Sequence, residues 1–200
     1  MSKLYFKFGA MGSSKTANAL MTKFNYEEKG KTVWFIKPSI DTRDNYINEN
    51  GETVAVAKSR IGLSAVADVI DESESICEKM TLENKKCDVI ICDECQFLSE
   101  KQVDELKYIA SEFDIPVLCF GLRSDFRTKL FSGSKRLFEI ADSIAEVKSI
   151  CKCGNKAIVN ARFDGEGHVV VDGNQIEIGG NEKYESMCWK CWQKMIAEQK

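Results

Sequence analysis

Residues 9–16 read Gly-Ala-Met-Gly-Ser-Ser-Lys-Thr. They stand between an alternating aromatic and basic stretch (residues 3–9) and a stretch with Leu20, Met21 and Phe24 at helical spacing. Strand, small-residue loop and helix in that order predict a phosphate loop. Small residues let backbone N–H groups turn inward around phosphate oxygens, and the helix N-terminus adds its positive end. Gly9, Ala10, Met11, Gly12, Ser13 and Ser14 would form the cradle, Lys15 would reach the outer phosphates, and the Thr16 hydroxyl would hold Mg²⁺. Ser14 stands where such loops place glycine, and serine meets a steric cost at positive φ. The plainer alternative is a small-residue turn capping a helix through Ser13 or Ser14.

Outward from the loop, residues 32–37 (TVWFIK), 88–92 (DVIIC) and 116–120 read as buried strands, and residues 54–58 as a short strand. Residues 61–70 and 102–113 read as helices. Strands alternating with helices predict an α/β fold, a mostly parallel sheet with helices on both faces. Ligands of such sheets bind beyond the carboxyl ends of the strands, where residues 9–16 and 93–97 both fall. Asp93, ending an apolar strand, is placed to support Mg²⁺. Glu94 faces another direction and is placed to take a proton from an acceptor hydroxyl. Without the loop at residues 9–16, Asp93-Glu94 would read as the start of a solvated turn.

The chain has 200 residues, 44% hydrophobic and 30% charged, with ample material for a core. Lys+Arg number 28 against 31 Asp+Glu, a net charge of −3. That balance speaks against a protein living on a nucleic-acid backbone. No apolar run approaches the ~20 residues of a membrane span, and the first residues lack a signal-peptide pattern. A cytoplasmic protein is expected.

Nine cysteines fit a complete disulfide framework badly. Cys77, Cys87, Cys92, Cys95 and Cys119 lie in or beside apolar runs and read as small buried hydrophobes. Cys151-Lys-Cys153 and Cys188-Trp-Lys-Cys191 form two close pairs with 34 residues between them. Four thiolates so arranged match a closed, structural Zn²⁺ site. Two disulfides or a C-x-x-C redox site are the alternatives. The texture becomes glycine-rich near residue 150, which predicts a main domain at 1–150 and a metal-binding lobe at 151–200. His168, beside a glycine turn, reads as a solvated loop residue.

Eight blocks carry a family resemblance: residues 4–16 (LYFKFGAMGSSKT), 37–43 (KPSIDTR), 59–62 (SRIG), 93–98 (DECQFL), 121–127 (GLRSDFR), 130–142 (LFSGSKRLFEIAD), 151–157 (CKCGNKA) and 178–188 (IGGNEKYESMC). Over nearly its full length the chain resembles the type II thymidine kinases. The resemblance implies a P-loop (RecA-like) α/β domain with a small zinc-ribbon-like lobe and a lasso loop. It implies transfer of the ATP γ-phosphoryl to the 5′-hydroxyl of thymidine, with ATP, Mg²⁺ and structural Zn²⁺ as cofactors.

By position, the resemblance implies that Gly9 to Thr16 bind the ATP phosphates, with Asp93 on Mg²⁺ and Gln96 accompanying them. Glu94 would be the base. Met11, Phe97, Phe126 and Phe131 would wall the thymine pocket, and Ile178, Gly179, Gly180 and Tyr184 would cover it. For Phe126 and Phe131 plain core packing is the alternative. Arg60 would contribute electrostatically. The family forms homotetramers and takes neither nucleic-acid polymer nor membrane as partner. The rival functions are a nucleic-acid-binding P-loop ATPase with a zinc lobe and a nucleotide-binding regulator without kinase activity.

Overall fold

A computed structural model describes residues 2–177 and 183–199 of the chain. Strand β1 (Leu4–Phe8) leads through the glycine–serine loop into helix α1 (Lys15–Glu27), and β2 (Val33–Pro38) follows. Two small hairpins come next, β3 (Tyr46–Ile47) with β4 (Thr53–Val54) and β5 (Val56–Lys58) with β6 (Ser64–Val66). Then come β7 (Asp68–Ile70), α2 (Ile76–Leu82) and β8 (Val89–Cys92). A 3₁₀ turn (Cys95–Phe97) joins β8 to α3 (Glu100–Glu112), followed by β9 (Val117–Gly121), α4 (Ser132–Ile140) and β10 (Ser143–Glu146). The rest forms β11 (Val159–Phe163), β12 (Val169–Val170), β13 (Tyr184–Met187) and α5 (Trp189–Glu198).

The main sheet has the order β10-β1-β9-β8-β2-β7, and every pairing in it is parallel. Side chains alternate across a strand, so each strand feeds two cores. Leu4, Phe6, Ile90, Val117 and Cys119 face α3 and α4, with Val103, Leu106, Ile109 and Leu137 packed on them. Tyr5, Val89, Ile91, Leu118 and Phe120 face the other side, where α1 supplies Ala19 and Leu20. The α/β class with helices on both faces, expected from the sequence, is the observed one.

Residues 61–70 are not a helix. They form β6 and β7, with Gly62 at φ 90° turning the chain between β5 and β6. The Ser59 hydroxyl accepts from Leu63 N–H across that turn, and β7 pairs with β2. Strand pairing has overridden a weak local helical pattern, as tertiary context commonly does.

Helix α4 seats closely on the 3₁₀ turn through Gly133. A Cβ there would come within 2.6 Å of Leu98 O and 2.7 Å of Cys95 O. Gly133→Ala is therefore expected to lower stability by about 1–3 kcal/mol through overpacking, read as a lower urea midpoint. An unchanged midpoint would show that α4 can shift outward without cost.

The last fifty residues build a separate antiparallel sheet of order β12-β11-β13. Its core holds Cys151, Ala157, Val159, Ala161, Met187 and Trp192, and also Ala10 from the glycine–serine loop.

Candidate active site

The loop ahead of α1 divides into an underside and an open face. Gly9 donates to Gly121 O at 3.2 Å, and Ala10 O accepts from Ser13 N–H at 3.2 Å. The buried Lys15 ammonium also donates to Ala10 O, at 2.9 Å, and lies 3.4 Å from Ser13 Oγ. Burial pushes its pKa down, while the Glu94 and Asp93 carboxylates pull it up. Met11, Gly12, Ser14, Lys15 and Thr16 line a cavity of about 700 Å³ together with Arg60, Asp93 and Glu94. Gly9, Ala10 and Ser13 do not line it; they hold the loop's shape from below. Arg60 lies over the loop, its Nη1 3.0 Å from where a Cβ on Gly12 would stand.

Ser14 occupies the left-handed region at φ 62° and ψ 28°, and its hydroxyl makes no cap bond to α1. Non-glycine residues are held there at a cost of about 1 kcal/mol or more. Ser14→Gly should accordingly raise stability, by up to about 1 kcal/mol once the freer unfolded chain is counted. A urea melt measures this, and a fall in stability would assign the serine hydroxyl a contact that offsets the strain.

Asp93 and Glu94 follow β8 and point to different partners. Asp93 is 3% exposed. Burial, with the neighbouring Glu94 charge, pushes its carboxyl up to about 7, while the Thr16 side chain beside it acts to lower its pKa. Glu94 sits in the left-handed region at φ 52°. Its Oε1 accepts from Arg43 Nη2 at 2.6 Å and its Oε2 from Gln96 Nε2 at 2.6 Å. Strained residues persist where their surroundings over-determine them, and they cluster at functional sites. The Arg43 Nε donates to Asp41 Oδ1 at 2.6 Å, and the Glu94 carboxylate is the first cause holding the guanidinium's pKa above its usual value. The fully buried Lys37 anchors Asp41 in turn, at 3.4 Å.

Gln96 Oε1 accepts from Leu122 N–H at 2.9 Å. Its amide thus orients Glu94 against the end of β9 and does not line the loop's cavity. A second, narrower cavity opens beyond Glu94, lined by Met11, Phe97, Phe126, Phe131 and Tyr184. Phe97 and Phe131 meet edge to face with centroids 5.6 Å apart, and the Arg162 guanidinium stacks 3.7 Å over the Phe126 ring. Both geometries fix aromatic rings in place. Gln175, Ile176 and Glu177 line this cavity along with Tyr184. Gln175 Nε2 donates to Asp125 Oδ2 at 3.0 Å, and Tyr184 OH donates to Glu177 O at 2.9 Å. Ile178, Gly179 and Gly180 lie outside the described residues.

The four cysteines of the lobe converge. Their Sγ atoms all lie within 4.8 Å of one another, with Cys153 and Cys188 at 3.6 Å. A tetrahedral zinc with Zn–S bonds of ~2.3 Å sets its sulfurs ~3.8 Å apart, so this donor set fits a structural zinc ion. Cys188 caps α5, and Cys191 N–H donates to its Sγ at 3.4 Å. All nine cysteines are free thiols, and Cys92, Cys95 and Cys119 are fully buried in the main core. His168 stands away from this cluster, 3.5 Å from Asp164 on an exposed turn.

Three residues of the site carried no assigned role in the sequence. Arg43 was legible only as part of the 37–43 block, polar residues following a buried strand. Leu122 was legible only as part of the 121–127 block, and Asn160 lay in none of the blocks singled out.

A parallel α/β sheet that brings a lysine-bearing loop, an acidic pair and an aromatic pocket to one end is the frame of a nucleoside kinase. The thymidine kinase family matches residues 2–192, and the chain belongs to that family. It is 42% identical to a thymidine kinase of Shewanella oneidensis, covering 98% of this chain and 99% of that one. It is 43% identical to one of Photorhabdus laumondii (99% and 96%) and 41% identical to that of Enterobacteria phage T4 (98% and 97%). A solved Bacteroides Pif1 bound to ssDNA aligns at a TM-score of 0.35 and 14% identity over 72% of this chain, too slight a likeness to weigh.

Proposed function

We propose that this chain is an ATP-dependent thymidine kinase, transferring the γ-phosphoryl group to the thymidine 5′-hydroxyl to give dTMP. The observation that carries the reading is the position of Glu94. It lines both cavities, so one carboxylate meets the phosphate side and the nucleoside side at once. ATP would place its phosphates along Met11, Gly12, Ser14, Lys15 and Thr16, and thymidine its base among Met11, Phe97, Phe126, Phe131 and Tyr184. A Mg²⁺ ion, when bound, would supply positive charge beside the phosphates. Thr16 and Asp93 are the residues that would hold it.

Lys15 would exchange its bond to Ala10 O for one to a phosphate oxygen. Glu94 would accept the 5′-hydroxyl proton as that oxygen forms its new bond to phosphorus and ADP leaves. Each Glu94 oxygen keeps a lone pair beyond the bond it already accepts, so the carboxylate can take that proton with Arg43 still in place on the wall of the phosphate-side cavity. Gln96 keeps the carboxylate oriented meanwhile. Positioning and electrostatic stabilisation carry most phosphoryl-transfer catalysis, and this set of residues supplies both.

The domain division at residue 150, the cytoplasmic location and the homotetramer are part of the same reading. They are supported by the texture of the sequence and the family resemblance. Among the described residues no helix is long and apolar enough to cross a membrane.

Incubation with γ-labelled ATP and thymidine tests the reading: label should appear in dTMP. ATP hydrolysis stimulated by DNA or RNA, with no dTMP formed, would favour the nucleic-acid ATPase instead. The metal lobe gives a further expected result. Cys188→Ser should release about one zinc per chain and weaken thymidine binding about tenfold or more, since the covering segment loses its second anchor and must be ordered at binding. Metal analysis and calorimetry check both halves. Full thymidine affinity without zinc would separate the metal from substrate recognition.

A further inference from the structure

Asn160, on β11, is 3% exposed and uses both ends of its amide. Its Oδ1 accepts from the Met11 backbone N–H at 2.8 Å, and its Nδ2 donates to the Ser124 carbonyl at 2.8 Å. Met11 belongs to the loop at residues 9–16. Ser124 begins the turn that carries Phe126 and closes on Leu130. One buried side chain therefore holds the main chain of both proposed subsites. Ala10, beside Met11, packs into the same lobe core as Val159 and Ala161, the residues flanking Asn160.

A buried amide bonded at both ends cannot release one partner without leaving a polar group unsatisfied. A shift of Met11 must then be followed by Asn160 and passed to Ser124, or be resisted by it. β11 is the central strand of the lobe, and its partner β13 runs directly into Cys188, so the clamp is backed by a sheet. Two sites that bias one shared element influence each other reciprocally.

We propose that Asn160 is a positioning residue that couples the two subsites, so that bound nucleotide raises the affinity for thymidine and thymidine raises that for nucleotide by the same factor. The proposal rests on the assignment of the two cavities made above. Asn160 also borders the nucleoside cavity, but the coupling assigned to it runs through the Met11 and Ser124 backbone, and it takes no part in the chemistry.

The test titrates thymidine calorimetrically, with and without saturating Mg²⁺ and a non-hydrolysable β,γ-imido ATP analogue. Wild type should show a ratio of affinities within the ~5–150-fold range of coupled sites. Asn160→Leu, which removes both bonds, should bring the ratio below about twofold. Asn160→Asp keeps an acceptor for Met11 but has no donor for Ser124, and should lose most of the ratio too. A loss of thymidine affinity by the same factor in both conditions would mark a merely structural or direct-contact role and overturn the proposal. Independent binding of the two ligands to wild type overturns it with no variant at all, which covers the case of Asn160→Leu failing to fold. Failure of the underlying assignment looks different: wild type would then neither bind thymidine nor form dTMP.

Discussion

Glu94→Gln is expected to lower turnover with thymidine by about 10²–10⁴-fold while leaving nucleotide binding nearly intact. The amide keeps the size of the carboxylate and can still accept from Arg43, which lies 2.6 Å from Glu94 Oε1 in the wild type. It loses the ability to take a proton from the acceptor hydroxyl, and its amide nitrogen can no longer accept from Gln96 Nε2. Because Glu94 lines both cavities, a change in shape could disturb either ligand, so the isosteric variant is the informative one. Steady-state kinetics with calorimetry of the ATP analogue separate the two effects. Near wild-type turnover would remove Glu94 from the mechanism.

Lys15→Ala should lower kcat/KM for ATP by about 10²–10³-fold, the range seen when one preorganised donor to developing charge is deleted. The ammonium is 8% exposed and already directed into the loop by Ala10 O and Ser13 Oγ, so little reorganisation separates its resting place from the phosphates. A charge in a water-poor site acts more strongly than on the surface. A loss of only twofold to threefold would mean that Arg60 or Arg43, both lining the same cavity, carries the charge instead.

Much of this site was legible because its residues are contiguous in sequence. The loop at 9–16 and the pair at 93–94 each sit at the end of a strand whose apolar run is unmistakable, and parallel sheets place such ends together. The four cysteines were legible for a similar reason, since close pairs of thiols leave few chemical alternatives. Arg43 was harder. Its importance lies in reaching 51 residues along the chain to Glu94, and nothing local in KPSIDTR announces that partner. Arg60, singled out instead, does line the loop's cavity. Asn160 was invisible because an asparagine in a strand gains meaning only from what lies across from it. Residues 61–70 were misread for the same cause: their conformation is set by β5 and β2, not by their own pattern.

The pairing of β1 has a consequence for how the chain is made. Leu4 pairs with Val117 and Tyr5 with Ser143, so β1 leaves the ribosome about 110 residues ahead of the nearer of its sheet neighbours. At ~5–20 residues per second, that interval is roughly 6–20 s, with Leu4 and Phe6 lacking their cover throughout. Ala10 waits longer still, because Met187 and Trp192, which close the core around it, follow later than Val117 and Ser143. Such long sequence separations slow folding and leave apolar strands open to wrong partners in the meantime. The glycine–serine loop, translated well ahead of the residues that pack on it, is therefore among the last segments to acquire its final shape.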